Sequence, residues 1–330
     1  MDQQTLSAPE AQNLAEQACL AAGANQATAR SLAKATISAA LFGRPGVGFP
    51  HLLDYLASFR AGRINGNAEP KPASPLPAII HSNADGGIAQ LGFDLAAPTI
   101  IERTRELGVA LFTQGNSYTT GELGYYVRRL ALDGLIAFAV SNSPAVVAGS
   151  PGGKVVFGTN PMAFAAPLSD ATAPLVIDQA SSATAFVNLA KAAEEGREIP
   201  AGWAIDETGS ATTDAAAGLR GALLAFGGAK GANVALMVEC LAAGLSGASW
   251  SLDMPDFQNG DRVIDAGLTI VAIQPTVLDA DFSARLSQQL DRIAERGAYV
   301  PGRRPVQSGV SEADRVTIDT AVLDAIRRFL

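Results

Sequence analysis

Apolar residues recur at helical spacing through roughly the first 60 residues of the chain. Ser7-Ala8-Pro9-Glu10 has the form of a capping box with a proline in the first turn, and it opens a helix that ends near Gly23. The same periodicity predicts a second helix over about 26–41 and a third over about 49–61. We therefore expect an N-terminal helical unit that comprises residues 1–66.

The pattern then changes. Four prolines within residues 67–77 favour an extended connector. Beyond it, short apolar runs alternate with helical patterns, which predicts an α/β domain over residues 67–278. This domain is expected to begin with a glycine-turn hairpin over 78–91. A last helix is predicted over about 311–329, and residues 279–330 are expected to pack on the N-terminal unit.

A Rossmann nucleotide site requires G-x-G-x-x-G directly between a strand and a helix. The first glycine-rich segment here, residues 149–153, contains Pro151 and precedes a predicted strand. The second, residues 227–231, has neither that spacing nor the Ser or Thr that follows the lysine of a P-loop. The sequence therefore predicts an α/β fold that is not of the Rossmann type.

The amino-acid composition limits the kinds of molecule that the protein is expected to bind. Charged side chains make up 17% of the 330 residues, below the usual share of about a quarter, which favours an oligomer that covers part of its surface. The formal net charge of −8, without a basic run, argues against nucleic-acid binding. The two cysteines lie outside any metal-ligand pattern, so no metal site is expected. No leader pattern or membrane-spanning apolar stretch is seen, so we expect a cytoplasmic location without membrane attachment.

Three predicted strands end in polar residues. Residues 116–122 follow the first strand and place hydroxyls at the start of a helix, residues 141–144 end the second, and residues 178–182 end the third. Each segment alone is also compatible with a helix cap or an ordinary turn. Because ligands gather at strand ends in α/β folds, the three together predict a binding site.

Two further segments carry candidate chemistry. Gly158-Thr159-Asn160-Pro161 joins two predicted strands, where Thr159 either offers a hydroxyl to a ligand or completes a stiff turn. Gly227-Gly228-Ala229-Lys230-Gly231 opens a helix, and its free amides and lysine suit an anion. A solvated lysine at a glycine-rich helix entry is an equal alternative.

Six motifs follow one another along the chain: Arg60-Ala61-Gly62-Arg63-Ile64, Asn116-Ser117 through Gly124-Tyr125-Tyr126, Gly158-Thr159-Asn160-Pro161, Asp178-Gln179-Ala180-Ser181-Ser182, Ile199-Pro200-Ala201-Gly202-Trp203 and Phe226-Gly227-Gly228-Ala229-Lys230-Gly231. Together they resemble the type-2 malate/L-lactate dehydrogenase family, which includes ureidoglycolate dehydrogenase and reductases of Δ1-pyrroline-2-carboxylate and Δ1-piperideine-2-carboxylate. The resemblance covers most of the chain. It implies a non-Rossmann nicotinamide-binding fold and a homodimer with its active site near the subunit interface.

The resemblance also implies site residues. Thr159 would lie near a small carboxylate substrate, and Lys230 would neutralise phosphate. A looser match near the C-terminus adds two residues to the set that would contact NADH or NADPH. That set is Thr119, Thr120, Gly121, Glu122, Ser143, Asp178, Gln179, Ala180, Lys230, Gly302 and Arg303.

The sequence departs from the family pattern at the entry to the third helix. Gly46-Val47-Gly48 stands where relatives usually carry Ser-His-Gly, and the same register puts His51 where an arginine normally meets the substrate carboxylate. Thr119 occupies a position where many relatives have histidine, and Asn188 lies near the place of a relay aspartate. The residues that move protons in relatives are therefore replaced here.

Only two histidines remain. We interpret His51 as a catalytic proton donor or a substrate-orienting residue, with a structural role as the alternative, and His81 as structural. Ketone reduction needs a well-placed acid, whereas a cyclic imine can arrive already protonated. The sequence thus favours an NAD(P)H-dependent reductase of a cyclic imino acid that gives L-proline or L-pipecolate. The alternatives are a 2-hydroxy acid dehydrogenase and a non-catalytic homologue that binds a cofactor or metabolite.

Overall fold

The computed structural model describes residues 2–171, 173–256, 260, 262–301 and 314–330. Gly302 and Arg303, which the resemblance assigns to the cofactor, lie outside these residues. The α-helices of the described part are α1 (Ala8–Ala21), α2 (Gln26–Phe42), α3 (Phe49–Arg60), α4 (Ala89–Leu107), α5 (Gly124–Leu132), α6 (Phe186–Glu194), α7 (Ala215–Arg220), α8 (Ala229–Glu239), α9 (Phe282–Glu295) and α10 (Thr320–Arg327).

The strands within the described residues form three sheets. They are β1 (Gln3–Ser7), β2 (Ala73–Leu76), β3 (Ile79–Asn83), β4 (Val109–Ser117), β5 (Ile136–Ser141), β6 (Val147–Ala148), β7 (Val155–Phe157), β8 (Met162–Ala166), β9 (Leu175–Gln179), β10 (Ala204–Ile205), β11 (Ala211–Thr212), β12 (Ala222–Leu224), β13 (Ala266–Ile273) and β14 (Arg315–Asp319). The large sheet has the order β2-β3-β4-β13-β5-β8-β9, the smaller one β11-β10-β12-β6-β7, and β1 pairs with β14.

The N-terminal helices form as their sequence pattern predicts. The Ser7 hydroxyl accepts from the amide of Glu10, and the Glu10 carboxylate accepts from the amide of Ser7, so the capping box is present. The apolar faces of α1, α2 and α3 pack together with β1, β14 and α10 in one core. Leu32, Leu56 and Leu323 are fully or almost fully buried there.

The C-terminal segment differs from the prediction in two ways. The expected helix over 311–329 is wrong at its beginning, because β14 pairs antiparallel with β1 before α10 starts. Val316 and Ile318 are buried and alternate with outward residues, which is a strand period that a helical reading misses. In addition, α9 packs through Leu290 against Leu168 and Leu175, beside β9, and not on the N-terminal helices.

The predicted hairpin over 78–91 is also wrong in its second half. Strand β3 is present, but α4 begins at Ala89 in place of a returning strand. Asp85 and Gly86 have φ angles of 57° and 68° and redirect the chain, after which Phe93 is buried at helical spacing against the large sheet. The antiparallel partner of β3 is β2, which forms within the predicted connector, and β3 also pairs parallel with β4.

The direction of the strands in the large sheet places three strand ends together. Both β4 and β5 run antiparallel to β13, so they are parallel to each other. Strand β9 is parallel to β5, because each is antiparallel to β8 between them. The carboxyl ends of β4, β5 and β9 therefore lie at one edge, as the polar strand ends predict. The mixed α/β fold expected from the sequence is confirmed.

The smaller sheet belongs to a second core. Its strands, between Val147 and Leu224, pack with α6 and α7 around Leu189, Ile199 and Leu223. The stretch predicted as one α/β domain, residues 67–278, thus contains two sheets with separate cores. No helix among the described residues combines the length and apolarity needed to cross a bilayer.

Candidate active site

A cavity of about 370 Å³ lies where the strand ends of the large sheet face helix α3 and the smaller core. Seven residues that the sequence assigns to the site line it together: His51, Thr119, Thr120, Gly121, Ser143, Thr159 and Ala180. The remaining wall is mainly apolar and comes from α6, the start of β13 and the segments beside α3 and β5. It is formed by Gly46, Val47, Pro50, Asp54, Asn142, Pro144, Val146, Pro161, Ala185, Phe186, Val187, Ala190, Ile264 and Ala266.

Four other assigned residues do not line this cavity. Glu122 is buried and forms an ion pair with Arg128 at 2.8 Å, so its carboxylate is engaged by another side chain of the protein. Asp178 and Gln179 end β9, next to the lining residue Ala180. Lys230 lies exposed in the first turn of α8.

His51 projects from the first turn of α3, after Pro50. Its Nδ1 lies 2.8 Å from Oδ2 of Asp54, one turn further along the same helix. Its Nε2 lies 3.2 Å from the hydroxyl of Thr119, which follows β4. The imidazole therefore spans from helix α3 to a strand end of the sheet, with both ring nitrogens engaged.

The hydroxyl of Thr119 is held from its other side by Tyr55. The two hydroxyl oxygens are 2.6 Å apart, and Tyr55 also lies 3.0 Å from the carbonyl oxygen of Thr119. Gln90 donates from Nε2 to the Tyr55 oxygen and to the carbonyl oxygen of Thr120, both at 3.1 Å. Burial raises the pKa of Tyr55, so its hydroxyl keeps its proton.

The turn that carries Thr159 is fixed by a buried carboxylate. Asn160 has a φ of 36° and no exposed surface, and its amide donates to Oε2 of Glu239 at 2.7 Å. The other Glu239 oxygen accepts from the amide of Ser251 at 2.6 Å. A side chain at Gly158 would collide with the carbonyl oxygen of Ser143, which explains the glycine there. Thr159 is therefore placed beside Ser143 by contacts behind the cavity.

Asp178 is a partly buried carboxyl group whose neighbours include a second carboxylate. Burial first, and the nearby Glu122 carboxylate second, raise its pKa to about 6. The amide of Gly124 donates to its Oδ2 at 2.7 Å, which partly offsets that rise. Arg44 donates to the Asp178 carbonyl oxygen at 2.8 Å, so this strand end is held from the N-terminal unit as well.

The start of α8 is open to solvent. Gly227 and Gly228 both have positive φ, and no atom lies within 4 Å of the position that a side chain at either would take. No side chain caps the helix, so the first amides and Lys230 are left for an anion. The amide of Phe226 donates to the carbonyl oxygen of Ser181, which ties this loop to the segment after β9. These features fit the phosphates of a nicotinamide cofactor.

The sequence reasoning missed Asp54, Tyr55 and Gln90. Asp54 stands three residues after His51 on a predicted helix, and that spacing was a readable signal for a paired side chain. Tyr55 and Gln90 had no such signal, because Gln90 lay in the segment predicted as a strand. Among the described residues, no group of three or more His, Cys, Asp or Glu side chains is placed to hold a metal ion.

A cavity with one imidazole and several hydroxyls, next to an open site for an anion, is what a dehydrogenase or reductase requires: the protein is an oxidoreductase of the nicotinamide-dependent class. Residues 6–327 match the sequence model of the malate/L-lactate dehydrogenase family, and the chain belongs to this family.

Individual relatives agree with that assignment. The chain is 37% identical over 281 residues to the Δ1-pyrroline-2-carboxylate/Δ1-piperideine-2-carboxylate reductase of Pseudomonas aeruginosa, covering 83% of this chain and 84% of the relative. It is 32% identical over 326 residues to the (2R)-3-sulfolactate dehydrogenase (NADP⁺) of Chromohalobacter salexigens, covering 98% and 97%. The crystal structure of Δ1-piperideine-2-carboxylate reductase from Pseudomonas syringae superposes with a TM-score of 0.90 at 31% identity, covering 99% of this chain and 100% of the other.

Proposed function

We propose that this enzyme reduces a cyclic imino acid, Δ1-pyrroline-2-carboxylate or Δ1-piperideine-2-carboxylate, to L-proline or L-pipecolate with NADH or NADPH. The observation that carries the proposal is the charge of the cavity wall. Of the described residues that line it, His51 is the one basic side chain, Asp54 pairs with it, and the others carry no ionisable side chain. A substrate with a single carboxylate and an apolar ring matches that wall.

A second anionic group on the substrate has no cation to meet in this wall. Burying a carboxylate or sulfonate without a partner is costly, so malate-like and sulfolactate-like substrates are disfavoured. The apolar side chains around Phe186 and Ile264 instead match the methylene groups of a five- or six-membered ring. The two relatives named as imino acid reductases support the same choice of substrate.

In this proposal the cofactor ring shares the cavity with the substrate. Thr119 to Gly121, Ser143 and Ala180 would hold it, with Lys230 and the first amides of α8 on its phosphates. When bound, the nicotinamide supplies hydride to the carbon of the C=N bond. His51 orients the substrate or provides a proton from one side, while Thr159 offers a hydroxyl from the other. The apolar wall excludes water from the reacting atoms.

An assay of cofactor oxidation tests the proposal. NADH and NADPH are each followed by absorbance with the two cyclic imines and with pyruvate, oxaloacetate and 3-sulfopyruvate. We expect kcat/KM for at least one imine to exceed that for every 2-oxo acid by about tenfold or more. Faster turnover of a 2-oxo acid would identify a 2-hydroxy acid dehydrogenase. If no substrate oxidises either cofactor, the chain is a non-catalytic homologue.

We also propose that the protein acts as a homodimer. Helix α8 and the residues after it expose Met237, Leu245, Trp250 and Leu252, each about half or more accessible in the isolated chain. Apolar side chains grouped in this way are typical of a surface that a partner covers. Sedimentation velocity is expected to show a species of twice the chain mass.

A further inference from the structure

The orientation of His51 is determined by Asp54. The two residues stand at i and i+3 of α3, and Nδ1 lies 2.8 Å from a carboxylate oxygen, which can only accept a hydrogen bond. Nδ1 therefore carries a hydrogen, and the ring is fixed with Nε2 toward Thr119 and the cavity. The side chains are 19% and 31% exposed, so the pair lies at the cavity mouth with Asp54 nearer to solvent.

The group that faces Nε2 is fixed as well. The amide of Gln90 donates to Tyr55, so the Tyr55 oxygen always accepts one hydrogen bond. Tyr55 has a single hydrogen, and two acceptors of Thr119 are within its reach, the carbonyl oxygen at 3.0 Å and the hydroxyl oxygen at 2.6 Å. Tyr55 and Gln90 are almost fully buried.

This arrangement satisfies both protonation states of His51. With Nε2 protonated, His51 donates to Thr119, the Thr119 hydroxyl donates to Tyr55, and Tyr55 donates to the Thr119 carbonyl. After Nε2 loses its proton, the Thr119 hydroxyl turns to donate to Nε2, and Tyr55 donates to that hydroxyl. Every donor keeps an acceptor and no heavy atom moves. A side chain that releases and regains a proton in each turnover needs such an environment.

We propose that Asp54 is a positioning residue that holds His51 with its Nε2–H directed into the cavity, and that this hydrogen is the proton delivered to the nitrogen of a substrate bound as the neutral imine. The inference rests on the proposed function. In the step, hydride from the reduced nicotinamide forms a C–H bond, and the π electrons of the C=N bond move to nitrogen. The nitrogen takes the proton as the Nε2–H bond breaks, the cofactor is oxidised, and His51 regains a proton from solvent.

Replacing Asp54 by Asn keeps the size of the side chain and removes its charge. We expect kcat with the cyclic imine to fall by about 10- to 100-fold in D54N, with KM changed by less than about threefold, because the loss concerns proton delivery. Asp54→Glu, which retains a carboxylate, should recover at least half of that loss on a logarithmic scale. Glu106→Gln removes another i, i+3 ion pair, with Arg103 on α4 and far from the cavity lining, and should leave both constants unchanged.

A second measurement does not depend on turnover. The chain has only two histidines, so ¹⁵N-edited spectra of the imidazole rings can be assigned with a His81→Gln variant. The wild type should show His51 with a protonated Nδ1, and D54N should show a population with Nδ1 unprotonated. If the wild type reduces no imine, the proposed function fails while this spectrum still tests Asp54. An unchanged spectrum and an unchanged kcat in D54N would overturn the inference.

Discussion

The two basic side chains assigned to ligands, His51 and Lys230, stand in opposite surroundings. His51 is mostly buried, lines the cavity and has partners on both ring nitrogens. Lys230 is exposed in the first turn of α8, and no ion pair to it occurs within the described part of the chain. An enclosed, oriented group can take part in chemistry, whereas an exposed one contributes attraction that water and salt weaken.

The two regions also differ in how closely their sequences match the expected family motifs. The sequences at the start of α8 and at the polar strand ends are among the motifs that carry the resemblance to the family. The third helix departs from that pattern, and this is where the structure builds the His51–Asp54 pair. Binding of the cofactor phosphates and proton transfer are thus proposed for different parts of the molecule, and each can be damaged separately.

The largest effect is expected at His51. Replacing it with Ala removes the only imidazole of the cavity wall, and kcat/KM for the imine should fall by about 100- to 1000-fold, since general acid catalysis contributes on this scale. Cofactor affinity, measured by fluorescence titration, should change little. His81→Ala is the matched control, because His81 is exposed on β3 and bonds to Thr113 away from the cavity. Equal losses in both variants would return His51 to a structural role.

A smaller effect is expected at Lys230. Replacing it with Ala should raise the KM for the cofactor by about fivefold and leave kcat within about twofold, because one exposed cation contributes roughly 1 kcal/mol to phosphate binding. The penalty should shrink as the salt concentration rises, since salt screens an exposed charge. Lys191→Ala, on the exposed surface of α6, serves as the control. If cofactor affinity is unchanged in the Lys230 variant at low salt, the anion site is elsewhere.

Elements stabilised by interactions between residues close in sequence could be predicted, whereas those stabilised by distant residues could not. The capping box at Ser7, the helices that follow it and the polar strand ends are local patterns, and the structure contains them. Strand β14 is different, because a five-residue strand next to an unpredicted β1 is stabilised by a partner more than 300 residues away. Local periodicity could not identify that pairing.

The residues of the candidate site also fall into those that local sequence patterns predict and those that only tertiary packing brings together. The residues of the strand ends were predicted as a group, and they meet at one edge because the sheet directions bring them there. The chain of contacts from Asp54 through Tyr55 to Gln90 combines α3 with the start of α4, and the predicted strand at that point concealed it. Lining residues such as Ile264 reach the cavity only through tertiary packing.

The smallest effect is expected at Asp178, at the end of β9. Its pKa of about 6 exceeds the value of about 4 in an unfolded chain, so the folded protein holds a proton there that the unfolded chain has already released. This group therefore lowers the free energy of unfolding as pH rises from about 4 to about 6, with no further change above that range.

The variant Asp178→Asn cannot ionise at this position and can still accept a hydrogen bond from Gly124. Its free energy of unfolding, relative to that of the wild type, should therefore rise by about 1 kcal/mol from about pH 4.5 to about pH 7.5. Urea unfolding of both proteins at the two pH values measures this double difference, with Asp281→Asn on the exposed start of α9 as the control. The same pH dependence in the Asp178 variant and the wild type would show that burial and the Glu122 carboxylate do not raise the pKa of Asp178.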